Sequence, residues 1–355
     1  MGSTIMHILF LIHGIGRQQD DWATPVKDHL IAKASQYKQF QDTSLDKEVI
    51  FEPIRNDSVF DDLLVRWQDN FSGIMSSEAG SLIPKGKLMD LMDSMDDEER
   101  EFFWSHVAAV LIYRFFPLYR DRIRIEVIRT IAQKVKRYRE EFGNITRFSF
   151  LAHSLGTAVI HDSLHLLGAT EWDDEIANVM GPPHTRFQSL FMVANTSKIL
   201  QSDIKVDHSI VCAVGSRGDL NKEYLDQYVN VFHKYDPITL LWQVNGVSWG
   251  ANFNQINLSH FRNVNIHDFN HYLDHPAIHI PLFRTLCGFR SVVPAEQIQA
   301  LEAYRDIDRQ GVITELQNRL ENAKSKIDEN STLMDLVKIW VKLKDMVGGD
   351  FKIPI

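Results

Sequence analysis

Short apolar runs bounded by polar turns recur along the chain, at 5–12, 49–54, 148–152, 190–194, 209–214 and 228–233. Runs of this length suit strands buried on both faces, as in a parallel sheet. Between them the apolar spacing becomes helical, over 123–138 and again from Ser154 through Ala158, Val159, Asp162 and Leu166. Strands alternating with helices predict an α/β fold, a mostly parallel central sheet flanked by helices. No internal repeat is visible.

Three regions go beyond a minimal α/β core. Residues from about 70 to 120 carry a Met- and acid-rich stretch at 89–100, then an aromatic one containing Phe102, Phe103, Trp104, Tyr113, Phe115, Phe116 and Tyr119. Together they read as a helical insertion. Residues 167–187, with Gly181, Pro182 and Pro183, read as a surface loop. From 291 to 355 the positions of Leu301, Tyr304, Val312, Leu316, Leu320, Leu333, Leu336, Ile339 and Leu343 follow a helical period. This stretch is expected to be a helical extension packed over a main domain spanning 1–290. A dimerisation or partner-binding helix pair is the alternative.

Composition narrows the classes. At 44% hydrophobic and 24% charged residues the chain is not predominantly disordered. With 38 basic against 47 acidic residues its net charge is −9, which argues against nucleic acid as a partner. Two cysteines, Cys212 and Cys287, form neither a disulfide framework nor a C-x-x-C pair, and fit a reducing compartment. The first residues show no basic n-region and no cleavage site, so 5–12 reads as a strand and not as a signal peptide. The longest apolar tract, 107–119, is interrupted by Arg114 and Pro117 and is shorter than the ~18 residues a spanning helix needs. A cytoplasmic protein is expected.

The strongest chemical signal is Ala152-His153-Ser154-Leu155-Gly156, between an apolar strand and a helical pattern. A strand, a tight turn and a helix are the context of a nucleophile elbow, which needs small residues on either side of its serine. Ala152 and Gly156 qualify. The elbow would hold the Ser154 hydroxyl above the sheet at a helix N-terminus, where negative charge is favoured. The first strand ends in His13-Gly14-Ile15-Gly16, a loop able to aim backbone amides into a cleft. Acyl transfer needs two such donors where the oxyanion develops. The N–H groups of Ile15 and Leu155 are assigned to it, and His13 is read as shaping the loop.

A serine nucleophile needs a base, and the base needs an acid to orient it. In α/β-hydrolases the order along the chain is Ser, acid, His. The run at 228–233 leads to Asp236-Pro237, so Asp236 is the preferred acid, with Asp219 as its rival. Beyond it stand His267, His271, His275 and His279, each four apart. That spacing also admits a metal-binding helix face. Pro276 interrupts such a helix, and no acid or cysteine cluster completes a zinc site, so no metal and no cofactor are assigned. His271 is favoured as the base because its surroundings read as a loop leading into a helix, with His267 and His275 as alternatives.

These residues resemble a known group. Ile12-His13-Gly14-Ile15-Gly16, then Ala152-His153-Ser154-Leu155-Gly156-Thr157 with Asp162 downstream, then Asn230–Pro237 and His271-Tyr272, look like a lipase-like α/β-hydrolase. The pairing of His-Gly-Ile-Gly with His-Ser-Leu-Gly is similar to intracellular DDHD-type phospholipases and related bacterial serine hydrolases. The resemblance spans roughly 5–285. It implies the α/β-hydrolase fold, Ser154 as nucleophile, Asp236 as acid, His271 as base, and Ile15 and Leu155 as oxyanion donors. The chain departs from the pattern at Ala152, where the first elbow residue is usually Gly, and at Val193-Ala194-Asn195-Thr196-Ser197, where relatives carry Gly-Ser-Pro.

The function expected on these grounds is hydrolysis of a carboxylic ester, with a lipid or phospholipid acyl ester as the candidate substrate. A non-catalytic scaffold or ligand-binding protein on the same fold is the alternative. The aromatic stretch before the basic helix around 120–139 suits the wall of an acyl pocket and a peripheral contact with an anionic membrane. An ordinary core helix with one solvated face is the preferred reading of it. Nothing in the sequence sets an oligomeric state.

Overall fold

The computed structural model describes residues 6–13, 21–55, 73, 85–180, 185–201, 206, 211, 224–239, 244, 252–305, 312–326 and 331–347. Six strands, β1 (His7–Ile12), β2 (Val49–Pro53), β3 (Arg147–His153), β4 (Ser189–Val193), β5 (Tyr228–His233) and β6 (Phe253–Leu258), form one open sheet. Their order is β2-β1-β3-β4-β5-β6 and every neighbouring pair is parallel. Five of the six coincide with apolar runs in the sequence. The predicted run at 209–214 lies, but for Val211, outside the described residues. β6 was not anticipated. It is an edge strand whose Asn254, Gln255 and Asn257 leave it without a continuous apolar run.

The strands split the helices into two layers, because alternate side chains point to opposite faces. Ile8, Phe10, Ile12, Phe148 and Phe150 face one cluster, and Leu9, Leu11, Leu151, Phe191 and Val193 the other. The second face is covered by α1 (Ala23–Ala34), α8 (Phe269–Leu273) and α9 (Pro276–Cys287). The first is covered by the insertion and by α6 (Leu155–Ala169). The described part of the insertion comprises α2 (Lys85–Ser94), α3 (Asp97–Phe102), a π-helical turn (Phe103–Val107) and α4 (Ala108–Phe115), and it leads into α5 (Pro117–Phe142). Helix α5 starts on Pro117, whose missing N–H is no loss at a first helical position. It stops at Gly143, whose φ of 88° suits glycine.

One expectation changes and another gains detail. The stretch 167–187 is not all loop, since α7 (Asp174–Met180) forms within it, with the Asp173 carboxylate accepting from the Ile176 amide at 3.1 Å. The aromatic stretch is core: Phe102, Phe103, Tyr113 and Phe116 are buried. The basic helix that follows is a core helix on one face, as preferred, and its buried positions include the charged Arg120 and Arg124. The Arg124 guanidinium meets the buried Asp162 of α6 at 2.5 Å, and the Tyr113 hydroxyl donates to the same carboxylate at 2.8 Å. This group ties the insertion to the helix that begins at Ser154.

After α10 (Pro294–Ala303) come α11 (Val312–Lys324), α12 (Leu333–Lys342) and α13 (Lys344–Val347). Leu333, Leu336, Val337 and Trp340 of α12 belong to the same cluster as the insertion and one face of the sheet. Among the described residues no helix is long and apolar enough to cross a membrane.

Candidate active site

β3 ends at His153 and α6 begins at Leu155, so the turn between them is Ser154 alone. Its backbone sits at φ 54°, ψ −130°, and among the described non-glycine residues only Ala194 shares a positive φ. Such a conformation costs about 1–3 kcal/mol and persists only where the surroundings over-determine it. They do so here. The Ser154 N–H donates to the Val193 carbonyl at 3.0 Å. The Ser154 carbonyl accepts from Thr157 Oγ1 at 2.5 Å and Thr196 Oγ1 at 2.9 Å, and Thr157 Oγ1 accepts from the Thr196 amide at 2.9 Å.

The turn also needs its small neighbour. A Cβ on Gly156 would lie 2.6 Å from the Ile12 carbonyl oxygen and 2.7 Å from that of His13. The end of β1 and the start of α6 therefore touch backbone to backbone. The chain runs outward from β1 to β2 and returns to β3 on the other side of β1. In open α/β sheets ligands bind outside the carboxyl ends of the strands at such a reversal. Ser154 and His13 both sit there. Leu155 opens α6, where the first amides have no partner within the helix. Ile15, the other assigned donor, lies outside the described residues, as does Asp219.

The histidine beside Ser154 is His267, not His271. His267 Nε2 is 2.8 Å from Ser154 Oγ, and His267 Nδ1 is 2.8 Å from Asp236 Oδ2. A carboxylate only accepts, so Nδ1 carries the proton and Nε2 is left to accept from the serine hydroxyl. Asp236 lies in the turn after β5, fully buried. Its Oδ1 accepts from the Ile238 amide at 2.8 Å, and its Oδ2 also accepts from the Tyr272 hydroxyl at 2.6 Å. Burial opposes ionisation of this carboxyl, but His267 and the donated hydrogen bonds outweigh it and hold its pKa below the ordinary value.

His271 fails as a partner of Ser154 because the helix begins sooner than its surroundings suggested. Asp268 is the N-cap of α8, its side chain accepting from the His271 amide at 2.8 Å. His267 is thus the last loop residue, while His271 is already helical and buried, with its ring packed against His233 at 5.6 Å. Burial, then the neighbouring His233, pushes its pKa down to about 4.

His275 and His279 are committed elsewhere. His275 is the N-cap of α9, its Nδ1 accepting from the Ala277 amide at 3.1 Å, and its Nε2 faces His260 Nδ1 at 3.3 Å. His279 donates from Nδ1 to the Leu273 carbonyl at 2.8 Å and accepts from the Tyr37 hydroxyl at 2.7 Å. The four-residue spacing therefore serves helix capping and core hydrogen bonds. Among the described residues no group of three or more His, Cys, Asp or Glu is placed to hold a metal ion.

Several residues that the sequence reading quoted without a catalytic role contribute contacts here. His153, inside the elbow motif, points back toward His267: its Nε2 donates to the His267 carbonyl at 2.8 Å. Burial first, and then the nearby His267 and His13, keep this ring neutral. His13 stacks among Trp22, His153 and Phe269 at 5.1–5.9 Å between ring centres. Tyr272, Thr157 and Thr196 stand in the quoted segments, but nothing in their local pattern points to these hydrogen bonds.

No protein-family model matches the chain, and no curated protein matches its sequence.

Proposed function

We propose that this protein is a serine hydrolase of α/β-hydrolase type that cleaves carboxylic esters. The observation that carries the proposal is the unbroken relay from Ser154 Oγ through His267 to Asp236, 2.8 Å at each contact, with the serine on a strained one-residue turn. The parallel order β2-β1-β3-β4-β5-β6, with the serine after β3, the acid after β5 and the base after β6, supports the same reading. The resemblance to DDHD-type phospholipases makes a lipid or phospholipid acyl ester the substrate class to test first.

In the proposed reaction Ser154 Oγ attacks the ester carbonyl while its proton passes to His267 Nε2. Asp236 holds the imidazole and stabilises the imidazolium that forms. The Leu155 amide and an amide of the loop after β1 receive the oxyanion. As the tetrahedral intermediate collapses, the C–O bond to the alcohol breaks and the alcohol leaves with the proton from His267. Water, deprotonated by the same nitrogen, then attacks the acyl-enzyme and releases the acid and free Ser154.

Fluorophosphonate labelling followed by peptide mapping tests the proposal. Labelling at Ser154, absent from Ser154→Ala, is expected, together with a loss of ~10³-fold or more in ester hydrolysis. Folded protein that reacts elsewhere or not at all would refute it.

A further inference from the structure

The loop that presents His267, residues 259–268, belongs to no helix or strand. Its position must be set by contacts from elsewhere, since a triad works only if its base is held within about 0.5 Å of the productive place. The two ends of the His267 peptide unit show where they come from. Its carbonyl accepts from His153, inside the elbow. Its N–H donates to the carbonyl of Met346 in α13 at 3.2 Å. In the preceding helix α12, Trp340 is buried and its Nε1–H donates to the carbonyl of Pro237, the residue after Asp236, at 2.9 Å. One short segment, 333–347, thus reaches the main chain of the base and the turn of its acid.

Packing reinforces both contacts. Leu343 and Met346 share a small buried cluster with Phe261, Val264 and Ile266 of the base loop. Trp340 joins the large cluster that holds Ile238, next to the acid turn, and α12 packs against α2 and α3 of the insertion. At the rim Lys344 pairs with Glu98 of α3 at 2.7 Å.

We infer that the segment 333–347 is a clasp that sets the geometry of the acid–base pair, with Trp340 and the Met346 carbonyl as its positioning groups. The inference rests on the serine-hydrolase reading. Without the clasp the elbow keeps its own supports, but His267 and Asp236 lose a shared reference.

The test uses the full chain and two substitutions. Trp340→Phe keeps an apolar ring and deletes the Nε1–H donor. Val347→Pro disfavours the helical conformation at Met346 and so turns its carbonyl. Trp172→Phe is the matched control, because it deletes an indole N–H that donates to the Leu166 carbonyl near the end of α6 remote from Ser154. The readouts are the rate of fluorophosphonate labelling of Ser154, its dependence on pH, and the melting transition. Trp340→Phe is expected to slow labelling by ~10-fold or more, as small misplacements at a reacting centre do. The midpoint of its rise with pH should move down, because a displaced Asp236 stabilises the imidazolium less. Val347→Pro should slow labelling further, and Trp172→Phe should leave rate and midpoint unchanged.

Folded Trp340→Phe that labels like wild type, or no slower than Trp172→Phe, overturns the inference while leaving the function intact. Loss of folding in both clasp variants also overturns it, because the segment would then be a condition of folding and not of geometry. A wild-type protein that does not label at Ser154 removes the hydrolase reading and the inference together.

Discussion

Ser154 and His267 end 2.8 Å apart but are held in place by different means. The serine is fixed from nearby: the turn joins β3 directly to α6, Thr157 lies three residues on, and Val193 and Thr196 come from the adjacent strand β4 and its end. The histidine is fixed from afar, by His153, Asp236 and Met346, each from a different part of the chain. A turn between a strand and a helix carries its own geometry. A loop outside regular structure takes its geometry from whatever packs on it. The elbow is therefore expected to tolerate changes elsewhere, and the acid–base pair to be sensitive to them.

The largest effect falls where the two halves meet. His267→Ala removes the ring placed to accept the Ser154 proton, and ester hydrolysis is expected to drop by about 10³- to 10⁴-fold or more. His271→Ala should retain most activity while lowering the melting temperature, because it vacates a buried ring position. Steady-state kinetics beside thermal melts of the two variants decide the matter. The opposite pattern would return the base to His271.

The same contrast explains what could be read in the chain before its structure was known. Five strands, the elbow and the acid turn announce themselves because buried parallel strands are continuous apolar runs and the tight turn demands small neighbours. The histidine that meets Ser154 is among the four that the sequence offers, but local pattern favours His271 over His267. The deciding signal was Asp268, an N-cap that starts the helix one residue after His267. Tyr272 and Met346 could not have been found. A tyrosine four residues past a helix cap looks like core, and Met346 contributes a backbone carbonyl, to which its side chain gives no clue. Edge strand β6 was invisible for a related reason, since an edge exposed to solvent keeps polar residues.

Gly156→Ala attacks the serine half. The added methyl meets the carbonyl oxygens of Ile12 and His13 at 2.6 and 2.7 Å, both backbone atoms that cannot swing aside. The start of α6 must then part from the end of β1, which would disturb the oxyanion site proposed between them. A fall of about 10²- to 10³-fold in kcat is expected, the scale of losing one such donor. A crystal structure of the variant with an unmoved loop and unchanged kcat would show that the contact at Gly156 does not matter to the site.

Acid should loosen the two halves in sequence. The helices behind the acid–base pair carry neutral, buried histidines. Burial and neighbouring histidines push the pKa of His275 down to about 3, and burial above all pushes that of His279 down to about 4. In the unfolded chain these groups titrate near 6.5. The unfolded state therefore binds more protons over the interval between, so the stability they contribute is complete above about 6.5 and declines as pH falls toward 4 and 3. Hydrogen exchange at falling pH should show the amides of α9 losing protection before those of β4, a strand with no titratable side chain that accepts the Ser154 N–H at Val193. Simultaneous loss in both would argue for one cooperative unit and against two separately held halves.

The smallest expected effect is the most discriminating for the acid. Tyr272→Phe deletes one hydrogen-bond donor to Asp236 and leaves His267 and the Ile238 amide in place. A hydrogen bond to a charged group contributes about 1.5–3 kcal/mol, and the ring itself remains to fill its site. Without this support the carboxylate orients the imidazole less firmly, and a fall of about 10-fold in kcat at constant KM is expected. The direction of the pH shift separates this variant from one that displaces the carboxylate. With one donor gone the charge on Asp236 is less dispersed and holds the His267 imidazolium more strongly, so the rise of kcat with pH should move upward. Trp340→Phe, by moving the turn itself, should shift it downward. Opposite shifts from two residues that both act through Asp236 would locate the control of the base in that carboxylate, whereas shifts of the same sign would mean that the two substitutions only loosen the site.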